Sequence, residues 1–582
     1  MFIDHASTIL DCLTGYRNTH PNALAYTFLP GGKPQGKVVT DYRTLDEQAR
    51  KIAYSLVKRG LAGKNAILLY PAGLEFMYAL YGCFYAGVVA IPGNLSRNSH
   101  HLMRLRDIIR DAGASAVLTT AELKDSMMSK LDCPEVEWLS FESEDMCISA
   151  DLFPEVKRED IAFIQYTSGS TASPKGVMVS HGNLLANIIA IRDTFGTGEH
   201  VRIGGWLPQF HDMGLIGHIL HASALGGHYV FMPPLSFIQR PVRWLQLMSD
   251  YHCAFSTVPN FAYDLCVDKV SPEKLQGLDF SHWKWAGNGA EPVQAETIDA
   301  FTRFLAPYGF SPAAMTPCYG MAETTLMVSS STDEEVPVIC EIPDSDVYQL
   351  DEYSQSQESR QKMQRLVSCG RVAPGHRIVI VHPETKQIQA EGQIGEIWVS
   401  GDSVAQGYWN NPDKTRQDFH AYTACGQGPF LRTGDSGITQ DDQLFISGRL
   451  KDLIIVRGRN IFPQDIERSL ADISPLFRKN KTAAIQTGQE IVLIQEVEKA
   501  ALKSPALAES IYQSVTALTQ AYEVSIRDLV LIPANTLPMT SSGKVQRALC
   551  RKRYEQSNFN VLCSLISIKD FEDERKKSNS VA

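Results

Sequence analysis

The sequence predicts an α/β fold built from mainly parallel sheets. Near the start of the chain, segments with helical hydrophobic spacing alternate with short apolar runs of strand length. Alternation of this kind is typical of parallel sheets whose strands are connected by helices. A chain of 582 residues also exceeds what one hydrophobic core accommodates, so two or more domains are expected.

The first predicted helix covers residues 45–60, where Ala49, Ile52 and Leu56 recur at helical spacing and Gly60 supplies a stop. The elements predicted after it are strand 66–70, helix 74–85, strand 88–91, helix 102–111 and strand 116–119. An apolar run at 161–164 predicts a buried strand, a second short run lies at 177–179, and segment 183–195 is amphipathic.

Composition narrows the function classes. An apolar share of 44% and a charged share of 21% are those of an ordinary globular protein. The net charge of −10 gives no reason to expect a nucleic-acid partner. The apolar stretch 76–91 is shorter than the ~20 residues that cross a bilayer, so no membrane span is expected.

Cysteine usage and the first residues bear on the compartment. The 12 cysteines form no C-x-x-C pair, which argues against a zinc or dithiol motif and favours reduced, buried thiols. The N-terminus lacks the basic and then apolar order of a signal peptide. The cytoplasm is therefore the expected location.

A loop rich in hydroxyl groups follows the strand at 161–164. It contains Thr167, Ser168, Gly169, Ser170, Thr171 and Lys175. Such a loop can bring backbone N–H groups, hydroxyls and one cation to a phosphate. A Walker-type loop is excluded, because Pro174 stands where glycine is needed and Gly176 stands where serine or threonine is needed. On composition alone, a solvated surface hairpin remains an alternative.

Four other segments carry polar or charged residues in short motifs. They are W-L-P-Q-F-H-D-M-G at 206–214, N-G-A-E-P at 288–292, Y-G-M-A-E at 319–323 and R-T-G-D at 432–435. Two more lie near the end of the chain, S-G-R-L-K-D at 447–452 and L-P-M-T-S-S-G-K-V at 537–545.

Together with the loop T-S-G-S-T-x-x-P-K-G, these motifs resemble those of the adenylate-forming superfamily in type and order. The superfamily contains acyl-CoA synthetases, luciferases, adenylation domains of peptide synthetases and fatty acyl-AMP ligases. The resemblance implies a large N-terminal domain of layered sheets with flanking helices, hinged to a small α+β C-terminal domain. The implied boundaries are 1–447, a hinge at 448–452 and 453–582, with a polar tail from about 570.

The implied reaction joins a carboxylate to ATP, giving an acyl-adenylate and pyrophosphate. The resemblance assigns Lys544 as catalytic lysine, His211 to the border of the carboxylate pocket, Lys451 to the hinge pivot and Glu323 to Mg²⁺. The residues implied to bind ATP are Thr167, Ser168, Gly169, Ser170, Thr171, Lys175, Gly289, Ala290, Glu291, Tyr319, Gly320, Met321, Asp435 and Arg449.

The acyl pocket is expected among the large apolar residues of 230–266, with Phe231 and Phe237 joined by Met213 and Gly214 of the earlier motif. Simple core packing is the alternative reading of the same residues. A metal site at His218 and His221, which share a helical face, is disfavoured because no carboxylate or cysteine joins them at ligand spacing.

A long interval between Glu323 and Cys369 suggests an insertion at about 348–366. Fatty acyl-AMP ligases resemble this chain in carrying one there. They pass the acyl group to the phosphopantetheine of an acyl carrier protein or of a polyketide- or peptide-synthase carrier domain. The expected substrates are a fatty acid and ATP. The alternatives are an acyl-CoA synthetase and a non-catalytic protein that keeps the fold; the presence of Lys544, Glu323 and Asp435 speaks against the second.

Overall fold

The fold was analysed in a computed structural model of the chain. The structure describes residues 1–95, 99–141, 153–167, 174–332, 335–343, 363–456, 459–522, 524–540 and 544–568. The predicted polar tail from about 570 lies outside these ranges, and so does the predicted insertion at 348–366 apart from its last four residues.

Twenty-seven strands are found in the described residues. In the first 332 residues they are β1 Leu24–Phe28, β2 Val38–Asp41, β3 Asn65–Leu68, β4 Val89–Pro92, β5 Ala116–Leu118, β6 Glu137–Leu139, β7 Ile161–Thr167, β8 Lys175–Ser180, β9 Arg202–Gly205, β10 His228–Phe231, β11 Phe255–Pro259, β12 Trp285–Gly289, β13 Met315–Gly320 and β14 Met327–Ser330. The later strands are β15 Ile339–Pro343, β16 Met363–Val367, β17 Arg371–Val372, β18 His376–Val381, β19 Gly395–Gly401, β20 Leu431–Gln440, β21 Gln443–Arg449, β22 Ile454–Val456, β23 Arg459–Ile461, β24 Thr482–Thr487, β25 Glu490–Val497, β26 Ile526–Pro533 and β27 Cys563–Ser564.

The α-helices cover the faces of these sheets. They are α1 Ile9–Thr19, α2 Tyr42–Lys58, α3 Leu74–Tyr85, α4 Ser99–Asp111, α5 Ala121–Leu131, α6 His181–Phe195, α7 Asp212–Gly214, α8 His221–Ala224, α9 Pro234–Gln239, α10 Val242–Asp250, α11 Asn260–Lys269, α12 Ala295–Leu305, α13 Pro412–Phe419, α14 Pro463–Ile473, α15 Leu507–Tyr522 and α16 Arg547–Glu555. A π-helical turn, Leu215–Leu220, joins α7 to α8.

Two sheets of mainly parallel strands form the large domain. The nine-stranded sheet has the order β17-β14-β13-β12-β11-β9-β10-β1-β2, and its centre from β13 to β1 is parallel. The six-stranded sheet has the order β6-β5-β3-β4-β7-β8 and is parallel except for the β7–β8 hairpin. The predicted α/β fold with mainly parallel sheets is confirmed.

The remaining sheets are mostly antiparallel and belong to the second half of the chain. One has the order β18-β19-β20-β21, and β15 pairs with β16 and β22 with β23. The last sheet, β24-β25-β26-β27, is mixed, and α14 and α15 pack with it around a separate apolar core. This unit is the small α+β C-terminal domain that the sequence predicted.

The predicted early elements are present in order. Helix α3 has the bounds predicted for it, because its residues are apolar almost all round and it is buried, with Gly73 before it and Gly87 after it. Stretch 76–91 is thus a buried helix that leads into β4. Among the described residues, no helix is both long and apolar enough to cross a bilayer.

Strand ends bring the predicted motifs to one place. Strands β11, β12 and β13 are parallel neighbours, so their carboxyl ends lie at the same edge of the large sheet. The N-G-A-E-P and Y-G-M-A-E motifs leave the sheet at that edge, where ligands of open α/β sheets bind.

Candidate active site

The β7–β8 hairpin carries the predicted phosphate loop. Thr167 pairs with Lys175 at the open end of the hairpin. The predicted loop residues between them, Ser168, Gly169, Ser170 and Thr171, lie outside the described residues. Lys175 Nζ lies 5.2 Å from the centre of the Tyr408 ring. Burial, together with the nearby cations Lys414 and Lys451, lowers the pKa of Lys175.

Glu323 stands on a short 3-10 turn, Ala322–Thr324, directly after β13. The Tyr408 hydroxyl donates to Glu323 Oε1 at 2.9 Å. Burial raises the pKa of Glu323, although Arg449 and Lys175 oppose the shift. Tyr408 therefore connects the predicted metal ligand with the predicted phosphate lysine. The sequence alone indicates no role for Tyr408, because nothing in the segment G-Y-W at 407–409 shows where the tyrosine hydroxyl points.

Asp435 lies at the centre of a second group of hydrogen-bonded side chains. Its Oδ2 accepts from the Tyr319 hydroxyl at 2.9 Å, and its Oδ1 accepts from Arg449 Nε at 3.0 Å. The pair with Arg449 follows from the β20–β21 ladder, in which the two residues are direct partners. Burial and then Asp435 hold the pKa of Tyr319 well above its usual range. Three residues predicted to contact ATP thus lie together.

Gly320 and Met321 continue from Tyr319 at the end of β13. A Cβ at Gly320 would lie 1.7 Å from the Leu326 carbonyl oxygen, so only glycine allows the two backbone segments to approach this closely. Met321 caps the turn that presents Glu323. Both residues therefore shape the backbone on which Tyr319 and Glu323 stand.

The N-G-A-E-P loop starts at the end of β12. Ala290 has a left-handed backbone with φ of 64°. Glu291 turns back and accepts from the Phe261 N–H at 2.7 Å. Burial raises the pKa of Glu291 to about 7, while Lys544 and Lys481 act in the opposite direction. The Glu291 carboxylate is thus bound to the protein itself.

His211 begins the turn at α7. Its Nδ1 lies 2.8 Å from Asp212 Oδ1, which also accepts from the Met213 N–H at 2.7 Å. A Cβ at Gly214 would lie 2.5 Å from the Pro208 carbonyl oxygen, so this turn needs glycine. The pKa of Asp212 is lowered: burial acts to raise it, but His211 and Lys544 outweigh burial. The sequence alone indicates no role for Asp212.

Lys544 reaches this site from the small domain. Thr540 and Lys544 exchange two hydrogen bonds at the base of its loop, whose residues 541–543 are not described. Burial and then Arg449 lower the pKa of Lys544, while the carboxylates of Asp212, Asp435 and Glu291 oppose that shift. The Lys544 side chain itself is exposed, so the protein groups around it remove it from solvent only in part. Lys544 therefore lies among the residues predicted for ATP and the carboxylate.

The predicted acyl-pocket residues divide between two cores. Phe237 stacks on Trp206 with 3.9 Å between ring centres, and Met213 belongs to the same apolar cluster. Phe231 packs instead on Tyr229 and Phe28 in the other main cluster. Successive side chains of a strand point to opposite faces, so Phe231 and its neighbour Met232 face different cores. This placement does not support Phe231 as a pocket residue.

His218 and His221 are buried and have protein partners. His218 Nε2 accepts from the Thr257 N–H at 3.1 Å, and the His221 ring lies within hydrogen-bond distance of Thr197 Oγ1 and the Gly217 carbonyl. Burial lowers the pKa of both imidazoles, to about 3 and about 4. Across the described part of the chain, no group of three or more His, Cys, Asp or Glu residues could hold a metal ion.

Lys451 lies in the 3-10 turn Leu450–Asp452, between the last sheet of the large domain and β22. Asp452 accepts from Arg547 Nη1 at 3.2 Å, and Arg547 also pairs with Glu467 at 2.6 Å. The turn is therefore tied to the small domain by an ion pair.

Two family profiles cover most of the chain. Residues 16–409 match the AMP-binding enzyme family, and residues 451–563 match the AMP domain of Disco-interacting protein 2-like proteins. The chain belongs to the AMP-binding enzyme family. The predicted resemblance to fatty acyl-AMP ligases within that family is also confirmed by its relatives.

Two relatives and one solved structure illustrate this similarity. The medium-chain-fatty-acid–[acyl-carrier-protein] ligase JamA of Moorena producens is 39% identical over 94% of this chain and 95% of its own. The long-chain-fatty-acid–AMP ligase FadD26 of Mycobacterium marinum is 34% identical over 93% and 96%. The fatty acyl-adenylate ligase from L. pneumophila, solved with acyl adenylate and pyrophosphate, is 34% identical with a TM-score of 0.72, covering 97% of this chain and 98% of its own.

Proposed function

We propose that the protein activates a fatty acid with ATP, forming a fatty acyl-adenylate and pyrophosphate, for transfer to the phosphopantetheine of an acyl carrier protein or carrier domain. One observation carries the proposal. Lys544 of the small domain lies close enough to Asp212, Asp435 and Glu291 of the large domain, and to Arg449, for the charges of these four residues to act on its pKa. The relatives, which include a fatty-acid–[acyl-carrier-protein] ligase, support the choice of acyl acceptor.

The chemistry needs cations at this cleft. A carboxylate must approach a polyphosphate, and two like unit charges about 4 Å apart repel by about 4 kcal/mol at an effective dielectric of 20. Lys544 would offset this repulsion at the carboxylate and the α-phosphate. Lys175 would stabilise the negative charge of the leaving pyrophosphate. Catalysis by the protein is then mostly positioning and charge compensation.

Glu323 fits the role of Mg²⁺ ligand. It is a hard oxygen donor at the cleft, fixed at Oε1 by Tyr408. Mg²⁺ commonly takes one or two carboxylates and completes its shell with phosphates and water, which agrees with a single carboxylate here. When bound, the ion would neutralise charge on the phosphates. Tyr408 would hold the Glu323 carboxylate in one orientation.

The remaining residues would position ATP and the acid. Asp435 would accept from the ribose hydroxyls, and the Tyr319 ring, held by its bond to Asp435, would offer a flat surface to adenine. Gly289 and Ala290 would line the adenine through their backbone, and His211 would border the acid carboxylate. The stacked pair of Trp206 and Phe237 is our candidate wall of the acyl pocket.

We further propose that the large domain ends at 447, that 448–452 is a hinge with Lys451 at its pivot, and that 453–582 forms the mobile domain. Lys544 contacts the cleft only when that domain packs against it, so a rotation would remove it after the adenylate forms. Carrier proteins and ATP share the cytoplasm, which is the location we propose.

One experiment tests the function. Pyrophosphate release is measured with saturated fatty acids of graded length, and a phosphopantetheinylated carrier protein or CoA is then offered as acceptor. We expect release to depend on the fatty acid, and the acyl group to pass to the carrier much faster than to CoA. Acyl-CoA formation as fast as pyrophosphate release would instead establish an acyl-CoA synthetase.

A deletion tests what the predicted insertion contributes. Strands β15 and β16 pair with Pro343 opposite Met363, so residues 345–361 can be replaced by an Asn-Gly turn that keeps the hairpin. If the insertion favours the adenylate-forming arrangement by about 1.4 kcal/mol, its removal makes the other arrangement roughly tenfold more populated.

We therefore expect the shortened protein to form acyl-CoA about tenfold faster than the intact protein. Its adenylation rate should be unchanged. Replacement of Arg365 by alanine, which removes the surface ion pair of β16 with Glu296 but leaves residues 345–361 in place, serves as control. Equal CoA turnover in the intact and shortened proteins would show that the segment is passive.

A further inference from the structure

Helix α11 holds the N-G-A-E-P loop and the residues just after it, 288–294, by three hydrogen bonds. The Asn260 side chain accepts from Asn288 Nδ2 at 3.0 Å and from the Gln294 N–H at 3.1 Å. Glu291 accepts from the Phe261 N–H at 2.7 Å. That N–H belongs to the first turn of the helix, where backbone donors have no partner within the helix. The Glu291 carboxylate is thereby held in one place at the edge of the cleft.

The same first turn of α11 also contacts the candidate wall of the acyl pocket. The Phe261 ring meets Trp206 edge-on at 6.2 Å, and Trp206 stacks on Phe237. Glu291 is thus bonded to the residue that joins the nucleotide loop to the candidate acyl pocket.

Two lysines of the small domain lie near this first turn of α11. Lys544 and Lys481 both lie close enough to Glu291 to lower its pKa. Lys481 Nζ lies 2.9 Å from Met539 Sδ, so it also touches the loop that carries Lys544. One turn further along α11, Asp264 accepts from Thr297 Oγ1 at 2.7 Å, and Asn480 and Lys479 of the small domain lie close enough to act on the pKa of Asp264, which burial raises.

We propose that Glu291 is a positioning residue for Lys544. Fixed on α11, its carboxylate is one of the large-domain countercharges of Lys544, with Asp212 and Asp435, and it also faces Lys481, so that it favours the adenylate-forming arrangement. This inference deepens the proposed function and rests on it. It adds a role to the ATP contact that the resemblance implies for Glu291, whose Oε1 accepts from the Phe261 N–H.

The first test compares two substitutions of Glu291 that remove different groups. Glu291→Gln keeps an acceptor for the Phe261 N–H and removes the charge, whereas Glu291→Ala removes both. We expect Glu291→Gln to lower kcat for pyrophosphate release roughly 5- to 20-fold, the size of a moderate coupling between sites. KM for ATP should change less than about twofold, since ribose and phosphate contacts remain. Glu291→Ala should also raise KM for ATP, because the loop is freed from the helix.

Glu296→Gln is the matched control. It removes the same charge from nearby helix α12, but Glu296 is 63% exposed and pairs with Arg365 on the surface. We expect it to behave like the wild-type protein. The transfer of preformed acyl-adenylate to a carrier should be unaffected in all three variants, because that step does not use Lys544.

A double-mutant cycle tests whether Glu291 acts through the small domain. We expect Lys481→Met to slow adenylation as Glu291→Gln does. The double variant Glu291→Gln/Lys481→Met should be no slower than the slower of the two single variants. Additive losses would mean that the two residues do not interact and would overturn the inference.

The pH profile gives a readout that a purely structural role would not move. The groups facing Glu291 are the Phe261 N–H, Lys544, Lys481 and Asp264, and burial raises its pKa to about 7. A raised carboxyl pKa means that the charge is present above about pH 7 and lost below it. Wild-type kcat should therefore rise with pH through this region, and the difference from Glu291→Gln should vanish at the acidic end.

The outcomes separate the two proposals. A wild-type protein without fatty-acid-dependent pyrophosphate release would overturn the proposed function. An active wild-type protein whose kcat and pH profile are unchanged in Glu291→Gln, or faster in that variant, would overturn only the role of Glu291.

Discussion

Lys544→Ala lowers acyl-adenylate formation by roughly 10²–10³-fold, the loss expected when one preorganised charge contact is removed. Lys544 is the small-domain cation that the structure brings among Asp212, Asp435 and Glu291. The attacking carboxylate and the α-phosphate would meet beside it. ATP binding should stay nearly intact, because the residues proposed to hold the ribose and phosphates belong to the large domain.

Pyrophosphate release and ATP binding are measured separately for this variant. Lys499→Ala is the matched control, because it removes a lysine from the exposed surface of the same domain and should leave both quantities unchanged. A Lys544→Ala protein that releases pyrophosphate at nearly the wild-type rate would remove Lys544 from the chemistry. Addition of preformed acyl-adenylate should restore acyl transfer, since only the first half-reaction needs this lysine.

Local signals were enough to predict the early part of the fold. Helices α2 and α3 and strands β3 to β5 lie where spacing and stop residues placed them, within a few residues at each end. Strand order could not be predicted in this way. Sheet neighbours such as β1 and β10 are separated by some 200 residues, and no local pattern encodes that pairing.

Motif residues could be named from the sequence, but their partners could not. Tyr319 and Asp435 are 116 positions apart and joined by one hydrogen bond. Residue type also does not reveal where a side chain points. Phe231 is predicted as a pocket residue together with Phe237, but the two side chains pack in different apolar clusters. Asp212 lies inside one of the motifs and Tyr408 lies outside all of them, and only geometry connects these two residues to the site.

Asp435→Ala should weaken ATP binding by roughly 10²–10⁴-fold, if each hydrogen bond to a charged group contributes about 1.5–3 kcal/mol and two ribose hydroxyls donate to this carboxylate. The carboxylate is already oriented, since Tyr319 donates to Oδ2 and Arg449 to Oδ1. Each oxygen keeps a second lone pair for the nucleotide.

The substitution also leaves Tyr319 and Arg449 without their acceptor, so a fall in affinity alone does not identify a ribose contact. Comparison of ATP with 2′-deoxy-ATP resolves this. In the wild-type protein, loss of the 2′-hydroxyl removes one of the two proposed bonds and should reduce affinity about tenfold or more. In Asp435→Ala the bond is already absent, so the two nucleotides should bind almost equally. Asp435→Asn keeps the shape and one acceptor oxygen. Its loss of affinity for 2′-deoxy-ATP relative to ATP should lie between that of the wild-type protein and that of Asp435→Ala. If instead the deoxy penalty is the same in wild type and Asp435→Ala, the losses are independent and Asp435 does not touch the ribose.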